Sequence, residues 1–371
     1  MEWPWEWPQT LTWITACQVL VSCLGLFWMI LRPGTVTAKR LFLGVLWSLA
    51  CTLVAGAVAR QLSGSLFALL SVLFVWIAVV LPFTGIVTSL LARKRSTNPA
   101  KNLLLLTPLL GALCGWSVFG EPRRLTLEQQ SLRLHVLRKG SQPLRLGILS
   151  DIQCTRVGAH EHAAVDMLLA ARPDMILLPG DIYQGEDQQW PQVRAGFQTL
   201  FQRLVAPGGA FLVEGDCDDP ERMAQLVQGT PVSFLHDEER SILLKDRRIH
   251  IYGAPLHAPS QKALAEFSRR PNSDEQLRLV LAHRPRTAMD IPVDAPIDLV
   301  ISGHTHGGQV RLPFGPALID LSPVPNQVGA GGLHALGHQP IYISRGVGME
   351  RSWAPRLRLF CPPEVSLLIL E

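Results

Sequence analysis

The feature that most constrains this chain is a set of four apolar blocks before about residue 120. They run roughly from Leu11 to Leu31, Leu41 to Ala59, Leu66 to Leu91 and Leu103 to Phe119. A helix needs about 20 mainly apolar residues to cross the hydrocarbon core of a bilayer. These blocks lack the polar face that a helix in a soluble bundle turns to water, so they predict membrane spans. The fourth is short and contains Pro108. No acidic residue lies within any block, which fits an anchor better than a transport path or channel. The chain opens Met1-Glu2-Trp3-Pro4-Trp5 without a basic residue, unlike a cleaved signal peptide. Trp3, Trp5, Trp7 and Trp13 suit an interfacial aromatic belt.

Basic residues predict a topology. The first loop holds Arg32, Lys39 and Arg40, and the third holds Arg93, Lys94, Arg95 and Lys101. The second loop has only Arg60. The positive-inside rule places loops one and three in the cytoplasm. With four spans, the N-terminus and the C-terminal domain then lie outside a multi-pass cell-membrane protein, in the periplasm or extracellular space. Arg123 and Arg124 run against this, and one span more or fewer would put the domain in the cytoplasm.

Length leaves room for one soluble domain beyond the anchor. The expected division is 1–120 as the transmembrane region, 121–143 as a linker with a first strand, and 144–371 as the soluble domain. A net charge of +4 gives no argument for nucleic-acid binding. None of the seven cysteines forms a Cys-x-x-Cys pair, so neither a zinc knuckle nor a redox motif is indicated. No protein partner can be inferred.

Beyond Leu144 the pattern changes to short aliphatic runs bounded by turn residues, which read as buried strands. Residues 144–150 lead to Asp151, 174–180 to Asp181, 210–215 to Asp216, 277–282 to His283 and 297–303 to His304. Helix-like stretches occupy 159–172 and 190–205, and later strands are expected at 249–252, 341–344 and 365–370. Alternation of strands with helices predicts an α/β domain. In such folds sites form beyond the carboxyl ends of the strands. A single Asp there can be a turn residue or helix cap. Five ligand-type residues in succession point to a metal site.

Two local motifs strengthen this. Pro179-Gly180-Asp181 follows a strand, and its glycine permits the sharp turn that brings the carboxylate inward. Ser302-Gly303-His304-Thr305-His306-Gly307-Gly308 sets two imidazoles two residues apart between glycines. Imidazole suits borderline metals, and carboxylates neutralise their charge. There is no Ser-His-Asp order, Gly-x-Ser-x-Gly elbow or phosphate-binding P-loop.

The motifs Asp151-Ile152-Gln153, Gly180-Asp181, Gly215-Asp216-Cys217-Asp218, His283 and Gly303-His304-Thr305-His306 follow the order of the calcineurin-like metallophosphoesterase superfamily, which residues 144–371 resemble. Its membrane-linked bacterial phosphodiesterase branch is the closer likeness, through Gln309 after the two glycines, Ser344-Arg345-Gly346 and Pro362-Pro363-Glu364. The resemblance implies a four-layer α/β/β/α sandwich behind an all-α transmembrane region. It implies two divalent metals, manganese first, with iron or zinc as alternatives. Asp151, His306 and Gln153 would hold the first metal, Asp181 would bridge, and Asp216, His283 and His304 would hold the second. A water between the metals would lose a proton and attack phosphorus in line, with the cations neutralising developing charge. Asp181, Cys217, Asp218 and His283 are the catalytic candidates, and Arg345 and Arg284 the substrate-binding ones, arginine being suited to bidentate phosphate contacts.

Three positions depart from the family pattern. Gln153 replaces a histidine ligand and binds metal more weakly. Asp216 adds a negative charge where an asparagine is usual. Cys217 replaces the histidine that helps protonate the leaving group, and a thiol with an ordinary pKa of about 8.5 is a poor acid at neutral pH. A phosphodiester or pyrophosphate with a good leaving group, carried by a lipid-linked substrate at the bilayer, is the expected target. A nucleotide-activated glycolipid precursor would require a cytoplasmic domain, opposite to the expected topology. The alternative expectation is a degenerate member acting as a metal- or phosphate-binding sensor or scaffold at the membrane.

Overall fold

The computed structural model describes residues 7–31, 38–92, 98–134, 142–256, 266–267, 276–313 and 315–371. Trp3, Trp5, Arg32, Arg93, Lys94 and Arg95, used above for the aromatic belt and the topology, lie outside these residues. The chain divides into two units, Met1–Gly120 with Glu350–Leu357, and Glu121–Met349 with Arg358–Glu371.

In the first unit the apolar blocks form helices: α1 (Gln9–Leu31), α2 (Ala38–Ser63), α3 (Leu66–Val75), α4 (Leu81–Ala92) and α5 (Asn98–Gly115). A π-helical turn, Trp76–Val80, runs between α3 and α4. Three stretches among the described residues, Gln9–Trp28, Phe42–Ser63 and Leu66–Val87, are long and apolar enough to cross a membrane. The fourth block is also helical, with Pro108 inside it. The polarity of the unit runs opposite to that of a water-soluble bundle. Gln18, Ser22, Ser48, Thr52 and Ser71 are buried, whereas Trp13, Leu24, Trp28, Phe42 and Val54 are exposed. The interior groups bond one another, as Gln18 Nε2 donates to Thr52 Oγ1 at 2.7 Å and Trp76 Nε1 to Ser48 Oγ at 3.0 Å. Others, such as Thr52 Oγ1, donate to the carbonyl one turn earlier. Packing of this kind satisfies most of these polar groups internally, as a lipid environment demands, with Gln18 Oε1 and Ser22 Oγ the exceptions among those named.

Among the described residues, the second unit holds twelve strands in two mixed six-stranded sheets. The first contains β1 (Thr126–Leu132), β2 (Leu144–Ile148), β3 (Met175–Leu178), β4 (Ala210–Leu212), β5 (Val232–Phe234) and β12 (Glu364–Leu370), in the order β1-β12-β2-β3-β4-β5. The second contains β6 (Glu238–Leu244), β7 (Arg247–Gly253), β8 (Gln276–Leu281), β9 (Leu299–Ser302), β10 (Gly332–Leu336) and β11 (Gln339–Ile343), in the order β10-β11-β9-β8-β7-β6. Strands β2 to β5 run parallel, as do β7, β8, β9 and β11.

Strand alternation assigns each side chain to a layer. In β3, Met175 and Leu177 join a core shared with Ile249, Ile251, Leu279 and Ile301 of the other sheet. Ile176 and Leu178 face the opposite way, against Leu168 of α6 (Ala159–Ala170) and Phe197 and Leu200 of α7 (Trp190–Phe201). On the far side of the second sheet, Val280, Val300 and Ile341 pack with Ala288, Ile291 and Val324. Both faces of each sheet are therefore covered, giving the expected α/β/β/α sandwich. Burial on both faces explains why the central parallel strands read as continuous aliphatic runs rather than as alternating ones.

Candidate metal centre

The site residues lie just beyond the C-terminal ends of β2, β3, β4, β8 and β9. Two groups of possible metal ligands result: Asp216, His283 and His304, and Asp151, Asp181 and His283, each with ligand atoms within 4.8 Å of one another. His283 Nε2 lies 3.4 Å from Asp181 Oδ2 and 3.2 Å from Asp216 Oδ2. His304 Nδ1 lies 2.7 Å from Asp216 Oδ2. His306 Nε2 approaches Asp151 Oδ1 at 3.9 Å.

The backbone is under tension here. Asp151, Gln153, Asp181, His304, His306 and Gln309 all have φ between 44° and 73°, the left-handed region that non-glycine residues seldom occupy. Each costs of order 1–3 kcal/mol and persists only where surrounding structure enforces it. Close backbone approach adds to the constraint. A Cβ on Gly215 would lie 2.2 Å from both the amide nitrogen and Oδ1 of Asp181.

Each ligand candidate is held from behind. Asp151 is fully buried, and accepts from Ser150 Oγ at 2.5 Å and from the His304 amide at 3.0 Å. The Cys217 amide donates to Asp181 Oδ1 at 2.8 Å. His283 Nδ1 donates to the Pro179 carbonyl at 2.7 Å, which fixes the ring so that Nε2 faces the carboxylates, protonated toward them without metal and able to give its lone pair to a cation once that proton leaves. Neither ring nitrogen of buried His306 has a hydrogen-bond partner. Burial and the Arg358 charge hold its pKa well below the usual imidazole range, which keeps the ring neutral. A buried neutral imidazole with an unused lone pair, beside a carboxylate, fits a divalent cation.

The carboxylates have contrasting electrostatics. Burial pushes Asp151 up to about 6, against the pull of His283. Burial also acts on Asp216, but hydrogen bonds from His283, His304 and Arg284 outweigh it and hold its pKa well below the ordinary carboxylate range. Burial opposes the charge on His283, yet Asp181, Asp216 and Asp151 together raise its pKa to about 10. Without a cation, a proton on His283 does part of the neutralising.

Gln153 is buried beside this group, and its amide nitrogen donates to Cys217 Sγ at 3.3 Å. The two departures from the family pattern thus touch each other. Asp218 faces the backbone: it accepts from the amides of Ile182 at 2.9 Å, Tyr183 at 3.3 Å and Gly215 at 2.9 Å. Burial and the nearby Asp181 raise its pKa to about 7. Its placement fastens the turns that carry Asp181 and Asp216. The half-exposed Arg284 guanidinium pairs with Asp216 through both oxygens, offsetting the charge gained at that position.

The Arg345 stem packs against Gly307 of the two-histidine turn, but its guanidinium turns to carboxylates outside the ligand set. The residue is buried, and its Nη2 lies 2.5 Å from Glu364 and 3.2 Å from Glu128. Sequence reasoning missed Ser150, the Pro179 carbonyl and Arg358. Arg358 is fully buried and donates to the carbonyls of Arg345, Gly346, Gly348, His306 and Cys361. Ser150 adjoins Asp151 and could have been suspected from that alone; a carbonyl and a distant arginine leave no local signal.

Two sheets delivering carboxylates and imidazoles to one rim, in two adjoining triads, define a metal-dependent hydrolase of the two-metal class. The calcineurin-like phosphoesterase family model matches residues 144–308. Over 247 residues the chain is 28% identical to phosphodiesterase YaeI of Escherichia coli (strain K12), covering 64% of this chain and 86% of that protein. It is 25% identical over 270 residues to the uncharacterized metallophosphoesterase YkuE of Bacillus subtilis (strain 168), covering 69% and 89%. It is 29% identical over 188 residues to the UDP-2,3-diacylglucosamine pyrophosphatase LpxG of Chlamydia muridarum (strain MoPn / Nigg), covering 47% and 53%. Residues 144–308 form a calcineurin-like phosphoesterase domain, a fold that implies two divalent metals, and the relatives support a metal-dependent phosphoesterase.

Proposed function

We propose that this chain is a membrane-anchored hydrolase of a phosphodiester or pyrophosphate bond in a lipid-linked substrate. The observation that carries the reading is the pair of adjoining triads that share His283. Asp151, His306 and Asp181, with Gln153 beside them, would hold one cation. Asp181, Asp216, His283 and His304 would hold the other. Two such cations would supply nucleophile activation and charge neutralisation at phosphorus. Manganese is the proposed metal, on family resemblance.

The chain's own residues divide the remaining work. The Pro179 carbonyl keeps His283 in one tautomer, and Ser150 and the His304 amide aim Asp151. Asp218 acts as a positioning residue for the Asp181 and Asp216 turns. Arg284, at the exposed edge of Asp216, can reach a phosphoryl oxygen while neutralising that carboxylate. Cys217 holds the place of the proton donor and engages Gln153, so the site favours a leaving group that departs without strong protonation. A pyrophosphate, such as the bond named for LpxG, meets that condition.

The anchor supports the lipid-linked part of the proposal. Four spans, with loops one and three cytoplasmic, would put the phosphoesterase unit outside the cell membrane. The enzyme is tested by loading the purified full chain with manganese and assaying bis(p-nitrophenyl) phosphate. Wild type should hydrolyse it and Asp181→Ala should not. Equal rates in the two would remove the assignment, and a wild type that binds metal without turnover would favour the sensor reading.

A further inference from the structure

The turn that carries His304 and His306 runs directly into a loop with unusual exposure. Leu312, Leu318, Ile319, Leu321 and Phe360 each leave between 43% and 54% of their surface open. Single exposed apolar side chains are ordinary, whereas a group gathered in one place marks a contact surface.

Backbone bonds gather four of these five, and Leu321 follows two residues after Ile319. Leu318 N donates to Val310 O at 2.8 Å, Arg311 N to Leu359 O at 3.0 Å, and Leu359 N to Gln309 O at 2.9 Å. The segments 309–312, 317–319 and 359–360 therefore lie side by side. They also abut the two-histidine turn, because a Cβ on Gly308 would sit 2.5 Å from Ala317 Cβ and 2.7 Å from Ile319 O.

The loop is braced. Arg311 Nε and Nη2 donate to Gly315 O at 3.2 and 3.1 Å. Asp320 Oδ1 accepts from Ser322 N at 2.9 Å and Ser322 Oγ at 2.7 Å. Phe360 is held at a φ of 53°, a conformation that a bulky aromatic rarely adopts and that signals an imposed position. The exposed side chains are thus presented by a fixed scaffold, which lowers the ordering cost of binding.

We propose that this patch receives the apolar tail of the phosphoester substrate while the metal centre holds its phosphate. The inference rests on the phosphoesterase reading and adds a tail-binding surface to it. Its support is the continuity of the patch with the metal-binding turn, through Gly308. An amphiphile has the matching polarity: an anionic head for the cation site, and a hydrocarbon chain for the surface that begins a few residues away.

The test compares p-nitrophenyl dodecyl phosphate with p-nitrophenyl methyl phosphate, using manganese-loaded full chain in detergent micelles. Wild type should show kcat/KM higher for the dodecyl ester by about 10-fold or more, the scale expected for burying part of an alkyl chain. The double variant Leu318→Ser, Ile319→Ser should lose most of that preference while still binding manganese, so that a folding failure is recognised by lost metal. Val205→Ser, an exposed apolar site elsewhere, should keep the preference. Absence of chain-length preference in wild type overturns the proposal, as does a preference that survives in the metal-loaded double variant. If the double variant loses activity only on lipid vesicles, the patch serves the bilayer surface and the proposal fails. A wild type inactive on both esters, and on bis(p-nitrophenyl) phosphate, would instead count against the phosphoesterase reading.

Discussion

Asp151 and His283 show how single residues of the site are poised. Their folded pKa values, about 6 and about 10, lie above the ordinary 3.8 and 6.5. A raised value means that the folded state binds the proton more tightly. Each group's proton-linked stabilisation is therefore fully present below its ordinary pKa and lost as pH rises through its folded value. Without metal, the Asp151 contribution falls away between pH 3.8 and about 6, and the His283 contribution between 6.5 and about 10. Asp216 is depressed, so its contribution has the opposite sign and is lost only in acid, below its ordinary 3.8. A divalent cation must displace the protons on Asp151 and His283. Calorimetric titration of the metal-free protein with manganese should show affinity tightening from pH 5 to 8, with proton release that scales with the buffer's ionisation enthalpy. A flat affinity over that range would contradict the assigned ligands. Behind Asp151, the Ser150 hydroxyl is a charge-assisted donor worth about 1.5–3 kcal/mol. Ser150→Ala should weaken manganese binding by about 10–100-fold, as loss of a supporting hydrogen bond does at other metal sites. Gly215→Ala should be worse, since its methyl would collide with the Asp181 carboxylate and amide; retained metal binding in that variant would show that the turn can yield.

At the scale of elements, the C-terminal ends of five parallel strands do the assembling, and loops secure the rest. Arg358 binds together the His306 turn and the 345–348 loop through five carbonyls. Arg358→Met would take this donor from the Arg345, Gly348 and Cys361 carbonyls, at about 1–3 kcal/mol for each that stays unsatisfied, whereas Gly346 O keeps the Glu364 amide and His306 O the Gln309 amide. Calorimetry should therefore show a lower melting temperature for the variant, and an unchanged one would mean that water takes over the carbonyls. This element also shows where the sequence is silent. The central strands were legible because burial on both faces writes an uninterrupted aliphatic run. The edge strands β5, β6 and β10 were not. Val232–Phe234 is three residues long, Glu238–Leu244 carries Glu238, Glu239 and Arg240 on a half-exposed edge, and Gly332–Leu336 includes His334. Short, charged edges resist sheet-to-sheet aggregation, and they erase the apolar pattern by the same means. The Arg345 ion pairs were illegible for a related reason. An arginine beside a glycine reads as a phosphate ligand, and only the fold brings Glu364 and Glu128 to meet it. The ligand types and their order were legible, while the partners that aim them come from carbonyls, amides and side chains far along the chain.

For the whole molecule, the first 120 residues put lipid-compatible surface outward and polar groups inward, and the second unit follows soluble packing. A reporter active only outside the cytoplasm, fused at the C-terminus, should give signal if four spans and the positive-inside rule set the topology. A signal only from a cytoplasmic reporter would reverse the side and favour substrates made on the inner leaflet. The central claim concerns the metal centre itself. Its most direct test is the metal content of the manganese-loaded full chain after free ion is removed. The two adjoining ligand groups predict two divalent ions per chain, with both lost in Asp181→Ala and one retained when Asp216→Ala and His304→Ala are combined. A wild type holding a single ion, or an Asp181→Ala variant that keeps both, would contradict a two-metal phosphoesterase site.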